Sequence, residues 1–592
     1  MRKNRLRLSE EIRYLDKWVP IAVLVGITAG IGAIAFTFAI EQCTILFLAK
    51  GAGYVPPSPA GEGGMSFIFP RYSFLIPVIT TLGGLLSGII VYKLAPEAEG
   101  HGTDAAIDAF HNKNGEISPK VPVIKLIASA ITIGSGGSAG REGPSAQIGA
   151  GFGSMIGKAM HLRPHERGIA MAIGIGAGIG AIFKAPFGGA VLAAEILYIS
   201  DFEIAVLPPA LISSTVAYSI YGSVMGWTPI FGIQNQYMSN DPIWFPLYAF
   251  LGLICGIVAI GYIRSFYGVK DLFKRLQIPN YVKPAIGGLA VGLIGMALPQ
   301  VLGMGYGWLQ MAIDGEFITL TFGIIIALIV LKILATSLTV GSGGSGGVFA
   351  PALFIGGMIG AAFWMICHSL IPNFGVASAP FVIVGMMAFF GAAGKAPLAV
   401  ILMVSEMTGS YTLLVPAMIA TSIAYIISGK NTIYRSQVPT KADSPAHRGE
   451  YSVEVLRGMK VKNAMTKDVI SITPTTSVDS ALDIMNKNGI KGIPVVDENN
   501  RVLGMITYED ILEVPEEERK TRMIGEVMTR RVICCLPDDN LGSVLEKMFK
   551  SNIGRLPVIE SNETKRLIGI ITREDIGRAY HASVEELIGK EE

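Results

Sequence analysis

Residues 134–144 read Gly-Ser-Gly-Gly-Ser-Ala-Gly-Arg-Glu-Gly-Pro, and residues 341–351 read Gly-Ser-Gly-Gly-Ser-Gly-Gly-Val-Phe-Ala-Pro. The stretches align without a gap and share Gly134/Gly341, Ser138/Ser345, Gly140/Gly347 and Pro144/Pro351. Each has a later echo: Lys184-Ala185-Pro186 leads to Glu195, and Lys395-Ala396-Pro397 leads to Glu406. A glycine run can leave helical geometry, and a proline suits the first turn of a helix that restarts. Both copies lie among apolar spans. A broken-helix element duplicated at membrane depth points to a transporter or channel whose ion site lies where the copies meet.

The rest of the composition agrees. The chain has 592 residues, 51% of them hydrophobic and 16% charged, with a mean hydropathy of +0.50. That is too apolar for a soluble enzyme of this length. A net charge of +2 gives no global field for nucleic acid. The five cysteines lack paired metal spacing, and Cys534-Cys535 reads as core rather than redox chemistry. Residues 1–17 show no signal-peptide pattern, and Arg2, Lys3, Arg5 and Arg7 before the first apolar span predict a cytoplasmic N-terminus.

Apolar spans are expected at roughly 18–49, 72–95, 121–134, 243–264, 283–301, 317–340 and 379–393. Those at 145–160, 168–183, 186–200, 347–369 and 397–408 are short or broken by Gly and Pro, which makes them candidates for half-length helices. After about Thr440 the composition turns polar and a second internal repeat begins. Met465-Thr466 echoes Met528-Thr529, Pro494-Val-Val echoes Pro557-Val-Ile, and Thr507-Tyr-Glu-Asp510 echoes Thr572-Arg-Glu-Asp575. Each unit is expected to run strand, helix, strand, strand, helix.

Glu142 is the residue to explain. A carboxylate near mid-membrane costs a few kcal/mol even on gentle insertion scales and is a functional-site hypothesis by default. A helix starting at Pro144 would aim unpaired N–H groups and a positive dipole end at this region, which makes it an anion site. A tethered carboxylate can plug such a site when ionised and leave when protonated. The second copy has no acid, so Gly347-Val348-Phe349-Ala350-Pro351 would offer its N–H groups to a permeating ion.

On these residues, the segment 15–436 resembles the CLC family of chloride channels and chloride/proton exchangers. Gly140-Arg141-Glu142-Gly143-Pro144 matches that family's gating-glutamate motif, Gly347-Val348-Phe349-Ala350-Pro351 its Gly-x-Phe-x-Pro motif, and Tyr434 the tyrosine that contacts the central anion. The resemblance implies an all-α, inverted-repeat, multi-pass membrane protein with half-length helices, a homodimer set in lipid with one anion pathway per subunit. It implies that Glu142 gates, flanked by Arg141, and that Gly140, Gly143, Val348, Phe349 and Tyr434 line the anion site. It implies no enzyme activity, no metal and no required cofactor, with chloride or a similar small anion as the transported ligand.

Two departures stand out. His101, in Gly100-His101-Gly102, occupies the position of the family's anion-coordinating serine, which leaves the preferred anion open. Proton-coupled members commonly carry a glutamate directly after the position of Glu195, and here Ile196 stands there. An isoleucine cannot relay a proton. The expected mode is therefore a channel, with chloride/proton antiport as the alternative. A membrane enzyme would need a cluster such as His-Glu-x-x-His within a span, and a divalent-cation transporter would need clustered carboxylates there; the sequence has neither. Gly174-Ile-Gly176-Ala-Gly178 lacks a strand–turn–helix context and reads as helix packing.

The polar repeat resembles an α/β CBS pair, which CLC proteins often carry on the cytoplasmic side. That resemblance implies regulation by an adenine nucleotide (ATP, ADP or AMP) held by Thr507, Asp510, Thr572 and Asp575. The expected layout is a cytoplasmic N-terminal segment at 1–17 and a membrane domain at 18–436 with halves near 18–222 and 243–436. A linker at 437–460, CBS units at 461–513 and 521–580 and a cytoplasmic tail at 581–592 follow.

Overall fold

The computed structural model describes residues 2–588 apart from 65, 234–240, 372–373, 448–455 and 457, and leaves the side chains of 2–15, 581 and 583–588 undescribed. The basic side chains of Arg2, Lys3, Arg5 and Arg7, residues 448–455 and 457 of the expected linker and the end of the tail lie outside the described residues. The chain forms two units, Met1–Ala446 and His447–Glu592.

The first unit is helical. Its first half holds α1 (Arg2–Thr44), α2 (Ile76–Leu94), α3 (Thr103–Asn112), α4 (Val121–Gly134), α5 (Glu142–Ala159), α6 (Pro164–Ile182), α7 (Pro186–Glu195) and α8 (Leu207–Met225). Its second half repeats the series as α9 (Phe245–Arg275), α10 (Lys283–Ala297), α11 (Tyr306–Asp314), α12 (Phe322–Gly341), α13 (Phe349–Leu370), α14 (Ser378–Gly394), α15 (Pro397–Thr408) and α16 (Leu414–Ser428). Among the described residues six helical segments are long and apolar enough to cross a membrane. The ten residues of α7 span roughly 15 Å at 1.5 Å per residue, half of a bilayer core. The span expected to be broken near 347–369 is instead one continuous 22-residue helix, α13. Helices α8 and α16 fall outside the expected spans; their prolines and hydroxyl residues dilute the apolar signal.

Packing repeats with the sequence. Helix α1 packs on α8 as α9 packs on α16, and α5 on α6 as α13 on α14. Glycines permit the last two crossings: a Cβ on Gly149 would overlap the Gly174 carbonyl, and one on Gly356 the Gly385 carbonyl. Gly174 therefore serves packing, not a nucleotide loop. Ser138 Oγ meets Thr336 Oγ1 at 3.1 Å, and its counterpart Ser345 Oγ meets Ser129 Oγ at 2.8 Å. Gly136 and Gly343 both turn the chain at φ +100°, a conformation that L side chains rarely adopt. Both sit just past the end of a helix, α4 and α12 respectively.

In the second unit β1 (Gly492–Val496) pairs antiparallel with β2 (Val502–Thr507), and β3 (Arg555–Ile559) with β4 (Leu567–Thr572). The expected leading strand of each repeat shrinks to one parallel bridge, Ile472 with Val495 and Cys535 with Val558. Proline explains the loss. Ile472 N–H donates to Pro494 O and Val496 N–H to Ile472 O, so the next bond would need an N–H that Pro494 lacks. Pro557 ends the other ladder in the same way. The segments that open the expected units are exchanged: Val461 packs with Leu541, Leu556 and Ile571, while Ile524 packs with Val478, Ile493 and Ile506.

Candidate functional site

The breaks after α4 and α12 start new helices at Glu142 and Phe349. The two breaks are stitched together: Gly140 N–H donates to Gly347 O at 2.8 Å, and Gly347 N–H to Gly140 O at 2.7 Å. Glu142 then crosses between the copies, its Oε1 accepting the Phe349 N–H at 2.5 Å. Its Oε2 is buried with no hydrogen-bond partner among the described residues. A Cβ on Gly140 or Gly347 would meet this carboxylate where it now lies, and one on Gly347 would also crowd the Gly143 backbone. The carboxylate thus takes the positive end of α13, a place suited to an anion. A hydrogen bond to a charged group is worth about 1.5–3 kcal/mol. That is comparable with the cost of placing a carboxylate at membrane depth, a few kcal/mol.

The backbone at His101 presses against the start of α5, since a Cβ on Gly143 would overlap the His101 carbonyl. The His101 ring is buried, and its Nδ1 accepts the Asp104 N–H at 3.4 Å. The neutral ring then carries its proton on Nε2. Its centroid lies 5.4 Å from that of Tyr434 and 5.9 Å from that of Phe266. Tyr434 lies 6.5 Å from Phe390, whose ring is 4.2 Å from Phe349. The Val348 carbonyl accepts the Tyr262 hydroxyl at 3.2 Å.

His101, Gly140, Glu142, Gly143, Val348, Phe349 and Tyr434 therefore share one buried zone. Arg141 points out of it. Its guanidinium pairs with Glu62 and lies 5.9 Å from the Phe183 ring and 5.8 Å from the Tyr306 ring. Arg141, Glu62, Lys184, Tyr54, Tyr221 and Trp308 line a cavity of about 650 Å³.

Three charged residues packed around the site carried no motif. Glu62 sits in an irregular segment without a pattern. Lys125 and Lys332 stand inside apolar spans, where any ionisable residue is a signal. Lys125 Nζ donates to Ala98 O at 3.0 Å and to Gly100 O at 2.6 Å; Lys332 Nζ donates to Val301 O at 2.9 Å and to Gly303 O at 2.8 Å. Each lysine braces the turn before a short helix, and Lys125 does so directly behind His101. The acids of the echo also act reciprocally. Glu195 accepts the N–H groups of Leu398 and Ala399 at 3.1 and 2.7 Å, opening α15. Glu406 accepts those of Phe187 and Gly188 at 3.1 and 2.7 Å, opening α7.

In the second unit Asp510 Oδ2 accepts both the N–H and the hydroxyl of Thr507, each at 2.8 Å. Asp575 Oδ2 does the same for Thr572 at 2.9 and 2.7 Å, while its Oδ1 takes Arg578. Both pairs are helix caps. Among the described residues Asp510 Oδ1 has no side-chain partner, whereas Arg578 holds the matching oxygen of Asp575.

Comparison with known proteins gives consistent matches. The model of the voltage gated chloride channel family matches residues 83–429, and the CBS domain model matches residues 461–517 and 524–582. An uncharacterized protein of Methanocaldococcus jannaschii is 31% identical over 423 residues, 71% of this chain and 95% of that one. The H(+)/Cl(-) exchange transporter ClcA of Yersinia pestis bv. Antiqua is 30% identical over 449 residues, 72% of this chain and 89% of that one. The crystal structure of a slow cyanobacterial Cl-/H+ antiporter shares the fold, with a TM-score of 0.60 at 23% identity, covering 70% of this chain and 96% of that one.

Proposed function

We propose, from the premise that this chain belongs to the voltage gated chloride channel family, that it exchanges chloride or a similar small anion for protons across a membrane. The observation that carries this reading is the bond from Phe349 N–H to Glu142 Oε1. Anion and carboxylate compete for one helix N-terminus, and protonation takes the carboxylate out of the competition. Binding of an anion and uptake of a proton are then linked at a single place. The relatives named as exchangers favour this mode over the channel suggested by Ile196.

In this scheme His101 and Tyr434 wall the inner side of the anion position, with the His101 Nε2 proton as a neutral donor. Arg141 and Lys184 draw anions into the 650 Å³ cavity, where Glu62 offsets one of the two charges. We place both termini on the cytoplasmic side and assign the working form as a homodimer. The CBS pair regulates transport through an adenine nucleotide at Thr507 and Asp510. The test is chloride flux from reconstituted liposomes with simultaneous pH recording. Uphill proton movement driven by a chloride gradient, abolished in Glu142→Ala, supports exchange. Chloride flux without protons in the wild type supports a channel, and no anion flux in either protein ends the gate reading.

A further inference from the structure

Under the exchange reading, a proton handled at Glu142 must also enter or leave at the end of the pathway away from the Arg141 cavity. Helix α8 fixes where that end is. It starts at Leu207 and its last turns, Tyr221 to Met225, line the cavity. Its 19 residues span roughly 28 Å at 1.5 Å per residue. The residues just before Leu207 therefore lie on the opposite side of the unit.

Glu203 lies there, 1% exposed. Its Oε2 accepts the Tyr198 hydroxyl at 2.7 Å, and its Oε1 pairs with Lys441 at 2.7 Å. The Tyr198 ring is 5.3 Å from that of His111, whose ring nitrogens meet Ser444 Oγ at 2.7 Å and Leu197 O at 2.8 Å. A carboxylate, a phenol and an imidazole thus stand in a row. The row begins beside Ile196, whose carbonyl accepts the Gln437 amide at 2.9 Å. It ends at Lys441, whose side chain is 23% exposed and opens the carboxylate toward solvent. His111 and His101 sit near opposite ends of α3, whose ten residues span roughly 15 Å.

Anchoring the chain does not account for this burial. The segment after Tyr434 is already held by Ser436 N–H on Asp104 at 2.8 Å, Ile199 N–H on Val438 O at 2.9 Å and Lys441 N–H on Asp201 at 2.8 Å. Desolvating a carboxylate adds a penalty that a mere strap would avoid.

We propose that Glu203 is the proton acceptor at this end of the pathway, with the Tyr198 hydroxyl as its hydrogen-bonded neighbour; the proposal rests on the exchange reading. A proton leaves the Glu142 carboxyl as its O–H bond breaks, and water along the anion path accepts it and carries it as hydronium across the interval. An O–H bond forms on Glu203, which then gives the proton to water past Lys441. The reverse direction retraces these steps, and no other reagent is consumed.

The test uses full-length protein in liposomes, with chloride and protons followed together. Uphill proton movement in the wild type comes first; its absence sinks the exchange reading rather than this assignment. Given a coupled wild type, Glu203→Gln should retain chloride flux within about threefold and lose at least tenfold in protons moved per chloride. Lys441→Met breaks the same ion pair but keeps the carboxylate, and should stay coupled. Wild-type coupling in Glu203→Gln overturns the proposal. So does equal loss of coupling in both variants, or a loss of chloride and proton flux in the same proportion in Glu203→Gln, since each marks a structural role.

Discussion

Replacing Glu142 with alanine should tighten anion binding, and the structure sets the size of the change. In the wild type an incoming anion must displace the carboxylate from the Phe349 N–H, where the two atoms are 2.5 Å apart. A hydrogen bond to a charged acceptor contributes about 1.5–3 kcal/mol net of water. At 1.4 kcal/mol per decade, removing that competitor should lower the chloride dissociation constant roughly 10- to 150-fold. Glu142→Gln keeps a neutral acceptor of the same shape, worth about 0.5–1.5 kcal/mol, and should fall between. Isothermal titration calorimetry on detergent-solubilised protein at fixed pH reads both constants. The wild-type constant should also tighten as pH falls and Glu142 protonates, whereas the alanine variant should lose that dependence. Equal affinities within threefold for all three proteins would refute the idea that carboxylate and anion share the Phe349 site.

Three further outcomes test other parts of the structure. Glu195→Gln and Glu406→Gln each weaken a pair of bonds to a helix N-terminus; each should cost about 1.5–3 kcal/mol, seen as an earlier loss of monodisperse protein on heating, and an unchanged transition in both would contradict the reciprocal caps. Asp510→Ala should abolish adenine-nucleotide binding by calorimetry while Asp575→Ala, whose carboxylate already holds Arg578, changes it little; the opposite ranking would move the site to the second set. Burial pushes the Cys535 thiol up to about 12, so almost no thiolate forms near neutral pH. Peptide mapping after maleimide treatment at pH 7.5 should find Cys535 unmodified in folded protein and modified in denaturant, and rapid labelling of folded protein would mean that this core is open.

The legible part of the site is the part written in backbone. Glycines at 140 and 347 and prolines at 144 and 351 announce where a helix stops and restarts, because only those residues permit it cheaply. An acid inside such a break is costly anywhere else. Glu142, Val348 and Phe349 could therefore be read as a group. What the sequence conceals is pairing at a distance. Nothing local to Glu62 says that it reaches Arg141, 79 residues away, and while the echo of Glu195 in Glu406 reads as a pair of hydrogen-bonded structural acids, nothing near Glu195 names α15 as the helix it closes. The two sides of a contact become visible only when the halves are folded together. Lys125 and Lys332 were the readable exceptions, since an ammonium within an apolar span needs a partner whatever the fold.

The same logic explains why the proton question centres on position 196. A helix-breaking motif constrains geometry and survives as a pattern, whereas proton transfer constrains only the presence of a titratable atom near the path. Such an atom can come from any element that packs there. With Ile196 apolar, the loop between α7 and α8 supplies Glu203, the segment after Tyr434 supplies Lys441, and α3 supplies His111, all at the end of the unit opposite the Arg141 cavity. A search by aligned position finds an isoleucine and predicts a channel. A search by proximity finds a buried carboxylate with a phenol and an imidazole beside it, and predicts coupling. The proton-to-chloride ratio of Glu203→Gln, measured against Lys441→Met, decides between a function fixed by position and one fixed by surroundings.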